Sequence, residues 1–310
     1  MGWALLLLVL VLALLPTLRE RMRRPITEAQ RQAAPGEVLE LSRGATQCRW
    51  SGRVRGPVAV CVHGLTTPSE AWDGFTPYLE AAGFRVLVYD LYGRGLSDAP
   101  AGRQDLAFFT DQLREVLDHY GLTEDVTLFG YSMGGLIAAK LAGEEPQRFR
   151  QVALVAPAGL GMPFSPAQRF AMRWPWIGDW VFQVRYPRAH AAALRAGQTP
   201  EEVLAVQLAQ LDRRGFVPGV LSSLRHTLAD PAPQVFSRLA ATGLPVLAVW
   251  GGADRVIPVA CMGRLAQSVR RAHQEVLEEA DHGLPFTHPE PLARAMARMM
   301  DELRLRPSRG

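Results

Sequence analysis

Short apolar runs alternate with helical patterns along most of the chain, from about residue 46 onward. The runs cover residues 57–62, 84–89, 126–129, 152–155 and 245–250. Each is apolar at nearly every position, which is typical of strands that are buried on both faces of a sheet. Apolar positions at helical spacing follow at 69–82, 105–120, 133–143 and 290–304. This order predicts an α/β protein with a mostly parallel sheet and helices on both faces.

Residues 157–242 interrupt the alternation, because they contain helical patterns and no convincing buried strand. One pattern begins at Pro200 and carries Glu201 and Glu202 in its first turn, where acidic side chains favour a helix. We therefore predict that residues 157–242 form a helical cap, inserted into a core made of residues 46–156 and 243–310.

The amino-terminal segment is an unbroken apolar run from Trp3 to Leu15, followed by four arginines between residues 19 and 24. As a helix, residues 2–18 would be about 26 Å long, close to the roughly 30 Å of a bilayer core. The expectation is an uncleaved membrane anchor over residues 1–18 and a basic, polar tether over 19–45. The arginines then predict a cytoplasmic catalytic domain. A cleaved signal peptide, with export, and an interfacial helix are the alternatives.

The net charge of +4 is concentrated at this end of the chain. Residues 1–24 contain four arginines and one glutamate, so that only +1 is left for the other 286 residues. We therefore expect no nucleic-acid partner. The three cysteines are far apart in sequence, which argues against a disulfide framework or a zinc site. No metal and no cofactor are predicted, and the oligomeric state is open.

A G-x-S-x-G pattern follows the run at 126–129 and opens the next helical pattern. Its residues are Gly130, Tyr131, Ser132, Met133 and Gly134. A sharp turn between strand and helix exposes a serine at the carboxyl end of the sheet and directs helix amides towards it. We therefore interpret Ser132 as a nucleophile.

With this motif the chain resembles the α/β-hydrolase family over about residues 46–305. His63-Gly64 after the first strong strand and the loop from Asp90 to Asp98 fit the same pattern. The resemblance implies an oxyanion hole made by the amides of Leu65 and Met133, with His63 shaping its loop. A dinucleotide fold is disfavoured because Asp98 stands where a third glycine is needed.

An acid and a base are expected later in the chain. Asp254 follows a buried strand within a glycine-rich turn, which brings its carboxylate to the carboxyl edge of the sheet. His282 precedes the last helix, where the family has its histidine, and His288 is the competing base. Asp281 is expected to face away from His282 and either to tune it or to cap a turn. The chain order Ser132, Asp254, His282 is the order expected for this fold.

The expected function is serine hydrolysis of a carboxylic ester, with a lipid-like or small apolar acyl group, through an acyl-enzyme. Aromatic residues of the cap, Trp174, Trp176 and Trp180, either contact the substrate or pack the cap onto the core. A carbon–carbon bond hydrolase and an aminopeptidase remain as alternatives on the same fold. A binding module without catalysis is a further alternative, which an intact set of Ser132, Asp254 and His282 disfavours.

Overall fold

The computed structural model describes residues 2–305, and in this range one eight-stranded sheet forms the centre of the molecule. The strands are β1 (Glu37–Leu41), β2 (Gly44–Gly52), β3 (Val58–Val62), β4 (Arg85–Tyr89), β5 (Val126–Tyr131), β6 (Phe149–Val155), β7 (Val246–Gly251) and β8 (His273–Leu277). Their order is β1-β2-β4-β3-β5-β6-β7-β8. The β1–β2 and β2–β4 pairs are antiparallel and the other neighbouring pairs are parallel. The predicted α/β fold class is confirmed.

Helices cover the sheet and fill the chain between β6 and β7. They are α1 (Gly2–Met22), α2 (Glu28–Ala33), α3 (Thr76–Ala81), α4 (Leu106–His119), α5 (Met133–Glu144), α6 (Pro166–Arg173), α7 (Ile177–Arg195), α8 (Glu201–Gln210), α9 (Phe216–His226), α10 (Pro233–Ala241), α11 (Cys261–Ser268), α12 (Leu284–Thr287) and α13 (Pro289–Leu305). Two short 3-10 helices cover Ser69–Trp72 and Pro146–Arg148. The single helix expected at 69–82 is instead a 3-10 helix over Ser69–Trp72 and the separate helix α3, whose first turn contains Pro77. Proline is favoured in the first turn of a helix and disfavoured in its interior.

The amino-terminal helix α1 packs against α7 and does not stand apart from the molecule. Its last turn and the residues after it bind the segment before α9: Glu20 accepts a hydrogen bond from the Gly215 amide at 2.6 Å, and the Arg24 amide donates to Asp212 at 2.9 Å. Within residues 2–305, no helix has the length and apolarity that crossing a membrane requires. The predicted transmembrane anchor is therefore not supported, and the cytoplasmic placement inferred from it loses its basis.

The segment expected to be a tether, residues 19–45, also differs from the prediction. Thr27 caps the short helix α2, and Arg31 on that helix pairs with Asp98 at 2.5 Å. Strand β1 follows and pairs with β2, with Leu39 buried in the core. The strand was missed because Glu37 and Glu40, two of its five residues, break the apolar pattern at the edge of the sheet, where polar side chains reach water.

His63 joins the ends of two neighbouring strands, β3 and β4. Its Nε2 accepts a hydrogen bond from the Leu91 amide at 2.8 Å, and its Nδ1 lies 2.8 Å from the Gly64 carbonyl oxygen. These contacts require a neutral ring with the proton on Nδ1. Burial lowers the pKa of His63 from 6.5 to about 4, because an imidazolium is poorly solvated inside the protein.

Helix α5 approaches the end of β3 more closely than a side chain would permit. A Cβ atom added at Gly134 would lie 2.1 Å from the Val62 carbonyl oxygen and 2.5 Å from that of His63. Only glycine fits at this crossing of helix and strand backbones.

We expect Gly134→Ala to destabilise the protein by at least about 2 kcal/mol, because a methyl group at this crossing forces backbone atoms apart. Gly263→Ala in α11 is the matched control, since nothing lies within 4 Å of its added Cβ. That control should gain about 0.5–1 kcal/mol from helix propensity. Urea unfolding of both variants measures the difference, and equal effects would contradict the close-approach argument.

The buried neutral His63 predicts a loss of stability on acidification. Between pH 6.5 and about 4 the unfolded chain binds a proton at His63 that the folded chain excludes, so stability falls as the pH falls through this window. The contribution is roughly 3 kcal/mol for a pKa difference of this size. Denaturant unfolding at pH 7.5 and pH 4.5 should therefore show a smaller acid loss in His63→Gln than in the unsubstituted protein. An identical loss in both would mean that other groups cause it.

Candidate active site

Ser132 occupies the turn between β5 and α5, in a backbone conformation that is unfavourable for a residue with a side chain. Its φ is +55°, a region that costs of order 1–3 kcal/mol outside glycine. Two hydrogen bonds hold it there: its amide donates to Val155 and its carbonyl oxygen accepts from Ala158, both at 2.9 Å. A Cβ at Gly130 would lie 2.5 Å from the Gly134 carbonyl oxygen, so the turn also needs that glycine.

His282 connects Ser132 to Asp254. Its Nε2 lies 3.0 Å from the Ser132 Oγ, and its Nδ1 lies 2.7 Å from the Asp254 Oδ2. Because a carboxylate only accepts, the proton is on Nδ1, and Nε2 is free to accept the serine hydroxyl proton. The structure thus brings together the three side chains that the sequence singled out. The competing base His288 instead contacts the hydroxyl of Thr287 at 2.9 Å.

The Asp254 carboxylate is fixed in the loop after β7. Its Oδ1 accepts hydrogen bonds from the amides of Val256 at 2.7 Å and Ile257 at 2.8 Å, which leaves Oδ2 for His282. The side chain has no exposed surface. A buried carboxylate with three donors cannot turn away from the imidazole without losing them.

The loop that carries His282 is held by two further side chains. The hydroxyl of Tyr131 donates to the His282 carbonyl oxygen at 2.8 Å, and the two rings lie 5.2 Å apart. Burial raises the pKa of Tyr131 well above its usual value, so it stays a donor. Asp281 accepts from the Gly283 amide at 2.8 Å and the Thr287 hydroxyl at 3.1 Å; it caps the turn. Tyr131 stands next to the serine, but nothing in the sequence pattern indicated this contact.

Two main-chain segments border the Ser132 hydroxyl. Met133 is the first residue of α5, where a backbone amide has no partner inside the helix. The loop after β3 passes on the other side: a Cβ at Gly64 would lie 3.2 Å from the Ser132 Cβ, and Leu65 follows in the wall of the adjoining cavity. The two amides predicted for an oxyanion hole, those of Leu65 and Met133, thus belong to segments that flank the serine.

Arg94 supports the Leu65 loop from behind. Its guanidinium is fully buried and donates to the carbonyl oxygens of Leu65 at 3.0 Å and Tyr92 at 2.8 Å, to Gln104 at 2.6 Å and to Ser223 at 2.8 Å. No carboxylate in residues 2–305 lies within ion-pair distance of it, and burial lowers its pKa to about 9. This one side chain therefore links the loop after β3 to helix α9.

A cavity of about 380 Å³ opens beside Ser132 and His282. Its apolar wall comes from several elements and includes Met162, Leu194, Val220, Leu224, Leu228 and Phe286. The polar lining residues Tyr186, His190 and Gln207 stand on α7 and α8. Burial lowers the pKa of His190 to about 4, so its ring is neutral near pH 7. These three could not be identified from the sequence, since nothing in their spacing distinguishes them from residues of helix packing.

The three tryptophans predicted to contact the substrate do not line this cavity. Trp174 and Trp176 are 54% and 86% exposed, and Trp176 and Trp180 border a separate groove between α1 and α7. Trp174 and Trp176 stand at the junction of α6 and α7, whereas the cavity is lined by the later turns of α7, so contact of these rings with a substrate stays a prediction. Their exposure does not favour the alternative that they pack the cap onto the core.

The described side chains include no cluster of three or more His, Cys, Asp or Glu residues able to hold a metal ion. The arrangement of Ser132, His282 and the flanking amides can activate a hydroxyl next to donors for a developing negative charge. Covalent attack on a carbonyl carbon is the chemistry that such an arrangement can perform.

Comparison with known proteins agrees with this architecture. A pimeloyl-[acyl-carrier protein] methyl ester esterase from Aeromonas salmonicida is 30% identical to the chain, over 76% of this chain and 92% of the relative. An enol-lactonase from Burkholderia xenovorans superposes with a TM-score of 0.70 at 21% identity, covering 86% of this chain and all of the other.

A meta-cleavage product hydrolase from Pseudomonas fluorescens superposes with a TM-score of 0.68 at 18% identity, covering 87% and 98% of the two chains. At these sequence identities the two solved structures show that the fold is shared, and they carry no information about the reaction. A protein-family sequence model whose description is alpha/beta hydrolase fold matches residues 57–289 of the chain. The chain therefore belongs to the α/β-hydrolase family.

Proposed function

We propose that this protein is a serine hydrolase of carboxylic esters that acts through an acyl-enzyme. The observation that carries the proposal is the continuous path from Asp254 through His282 to the Ser132 hydroxyl, with contacts of 2.7 and 3.0 Å. The path ends at a cavity, so the hydroxyl has room for a substrate carbonyl. The esterase from Aeromonas salmonicida, which aligns along most of its length, supports an ester as the bond that is cleaved.

In the first step the Ser132 Oγ attacks the ester carbonyl carbon, and its proton passes to Nε2 of His282. The carbonyl π electrons move to oxygen, where the amides of Leu65 and Met133 stabilise the oxyanion. Each such donor contributes about 2.7–4 kcal/mol to lowering the barrier. The tetrahedral intermediate then expels the alkoxide, which takes the proton from Nε2 and leaves as an alcohol.

In the second step water attacks the acyl-serine, and His282 accepts a proton from that water. The second tetrahedral intermediate releases the carboxylic acid and returns the proton from His282 to the Ser132 Oγ. Throughout, Asp254 keeps its carboxylate against Nδ1 and stabilises the imidazolium that forms twice in each turnover. The Tyr131 hydroxyl holds the main chain of His282, so the ring does not have to reorient between the steps.

The cavity favours an acyl or alcohol group that is mostly apolar. The helices of residues 157–242 supply much of its wall, and in our proposal they act as the cap over the core. The hydrogen-bonding groups of Tyr186, His190 and Gln207 suit a substrate with one polar group away from the scissile bond. A lipid-like ester with a hydroxylated or otherwise polar end has both properties.

Arg94 acts as a positioning residue in this scheme. Its hydrogen bond to the Leu65 carbonyl oxygen fixes the peptide group whose neighbouring amide faces the oxyanion. A shift of this loop by a fraction of an ångström weakens a donor that works only at hydrogen-bond distance. Ser223 on α9 accepts a hydrogen bond from the same guanidinium. A shift of the cap would therefore move Arg94 and, through it, the loop that carries the oxyanion donor.

Ser132→Ala should abolish formation of an acyl-enzyme with p-nitrophenyl esters, because no other group replaces the attacking oxygen. Intact-protein mass spectrometry after mixing detects the acyl adduct, and a fluorophosphonate probe should lose its labelling site. The matched control is Ser237→Ala, an exposed position on α10. Labelling at another residue, or turnover of a vinylogous diketone without any ester hydrolysis, would contradict the proposal; the latter would favour the carbon–carbon hydrolase alternative.

Arg94→Lys should lower kcat by roughly tenfold to a hundredfold and leave KM nearly unchanged, since the loss falls on oxyanion stabilisation and not on substrate binding. Rates are expressed per site titrated with the fluorophosphonate, so unfolded protein does not contribute. Ser223→Ala, which removes one of the four hydrogen bonds of Arg94, should have a smaller effect in the same direction. A change in KM alone would argue that Arg94 serves the shape of the cavity.

A further inference from the structure

Exposed large apolar side chains are concentrated in two elements that touch each other. Helix α1 exposes Trp3, Leu6, Val11, Leu14, Leu18 and Met22. The α6–α7 junction exposes Phe170, Trp174, Trp176 and Ile177. Only four further large apolar residues are exposed in the described chain, namely Val54, Tyr78, Val256 and Val259. Contiguous apolar surface of this kind on a monomer marks a binding surface.

The α1 residues form one face. Val11, Leu14, Leu18 and Met22 recur at spacings of three and four residues, which places them on the same side of a helix. Ala13, Pro16 and Thr17, on another side of α1, line a groove against Trp176 and, on α7, Ile177 and Trp180. The exposed stripe of α1 and the exposed α6–α7 junction thus belong to elements that meet at this groove, and we call the two together the apolar face.

The backbone at the junction has a conformation that presents an aromatic ring to the surroundings. Trp176 has a φ of +64° and is 86% exposed, although left-handed backbone is unfavourable for a large side chain. An exposed indole in this conformation has most of its apolar surface in water. A partner that takes up the indole would remove this surface from water, and a tryptophan is the side chain best suited to a boundary between water and hydrocarbon.

Charge around the apolar face identifies the partner. Helices α1, α6 and α7 together carry seven arginines and two acidic residues. Both acids are already paired, Glu20 with Arg23 and Asp179 with Arg225. The guanidinium of Arg173 lies over the ring of Trp174, 5.4 Å from its centroid. An apolar face with Arg173 against Trp174 and with Arg19 and Arg21 in the last turn of α1 suits the surface of an anionic bilayer, with rings at headgroup level and guanidinium groups on phosphates.

We propose that the apolar face docks this protein onto the surface of an anionic lipid bilayer, without crossing it. Helix α7 carries the docking residues at its first turn and the cavity residues Tyr186 and His190 further along. If the proposed function holds, this arrangement lets an ester leave the lipid layer and enter the cavity along one helix; this part of the inference rests on that function. The docking itself needs no catalysis.

The test is co-sedimentation of the full-length chain carrying Ser132→Ala with vesicles of equal parts phosphatidylcholine and phosphatidylglycerol. We expect binding to these vesicles and at least about tenfold weaker partitioning onto phosphatidylcholine alone. About 1 M sodium chloride, which shortens the Debye length to about 3 Å, should weaken the binding to anionic vesicles. Emission of the exposed tryptophans should shift to shorter wavelength on binding.

Trp174→Ser combined with Trp176→Ser, in the same background, should lower the partition coefficient by about tenfold or more, since both rings lose their apolar contact. Val54→Ser is the matched control: this residue is 87% exposed in the loop between β2 and β3, and the change should leave binding intact. Equal binding by both variants, or no binding to anionic vesicles, would overturn the proposal. A dimer in light scattering that only the double tryptophan variant dissociates would also overturn it, by assigning the face to a second copy.

Because every variant carries Ser132→Ala, the outcome does not depend on whether the protein hydrolyses esters. Failure of the proposed function would appear as absent ester turnover in the unsubstituted protein, with vesicle binding retained. Failure of the docking proposal would appear as retained turnover of soluble esters, with no vesicle binding.

Discussion

The close contact between helix α5 and the end of β3 determines where Ser132 can stand. Glycine at 134 allows carbonyl oxygens of β3 to come within about 2 Å of the space a Cβ would fill, and the strained turn at Ser132 follows from that approach. The same contact brings the Leu65 loop, which continues β3, to the opposite side of the serine. In the proposed mechanism, the nucleophile and the oxyanion donors are therefore positioned by one packing constraint, and not by independent loops.

Buried polar groups then fix the loops that this contact brings together. His63 bridges the loops after β3 and β4, Arg94 binds the Leu65 carbonyl oxygen, and Tyr131 binds the main chain of His282. None of them touches the reacting atoms in the proposed mechanism. Each costs stability through burial of a polar or charged group, and such a cost is common where a site must be preorganised.

The parallel strands and the order of Ser132, Asp254 and His282 could be predicted, because each depends on a short contiguous pattern. Strand β1 could not, because at the edge of a sheet its glutamates resemble a polar linker. The periodicity of apolar residues also cannot predict which element a helix packs against. The apolar run before residue 18 is compatible with a membrane span, and only the structure shows that this helix packs against α7. The direction of the Trp176 ring could not be predicted for the same reason, since a ring at a helix junction can face inward or outward.

The helices between β6 and β7 have an inner surface that lines the cavity and an outer surface that exposes apolar side chains. The inner surface of α7 contributes Tyr186 and His190 to the cavity, while the residue just before its first turn is the exposed Trp176. If α7 is held at one end by a bilayer surface, as proposed, and at the other by the cavity wall, it transmits any tilt between them. Arg94 extends this coupling, because it binds the Leu65 loop and also Ser223 on α9, a helix that packs against α7. In the proposed mechanism, the arrangement of the oxyanion donors therefore depends on the position of these helices.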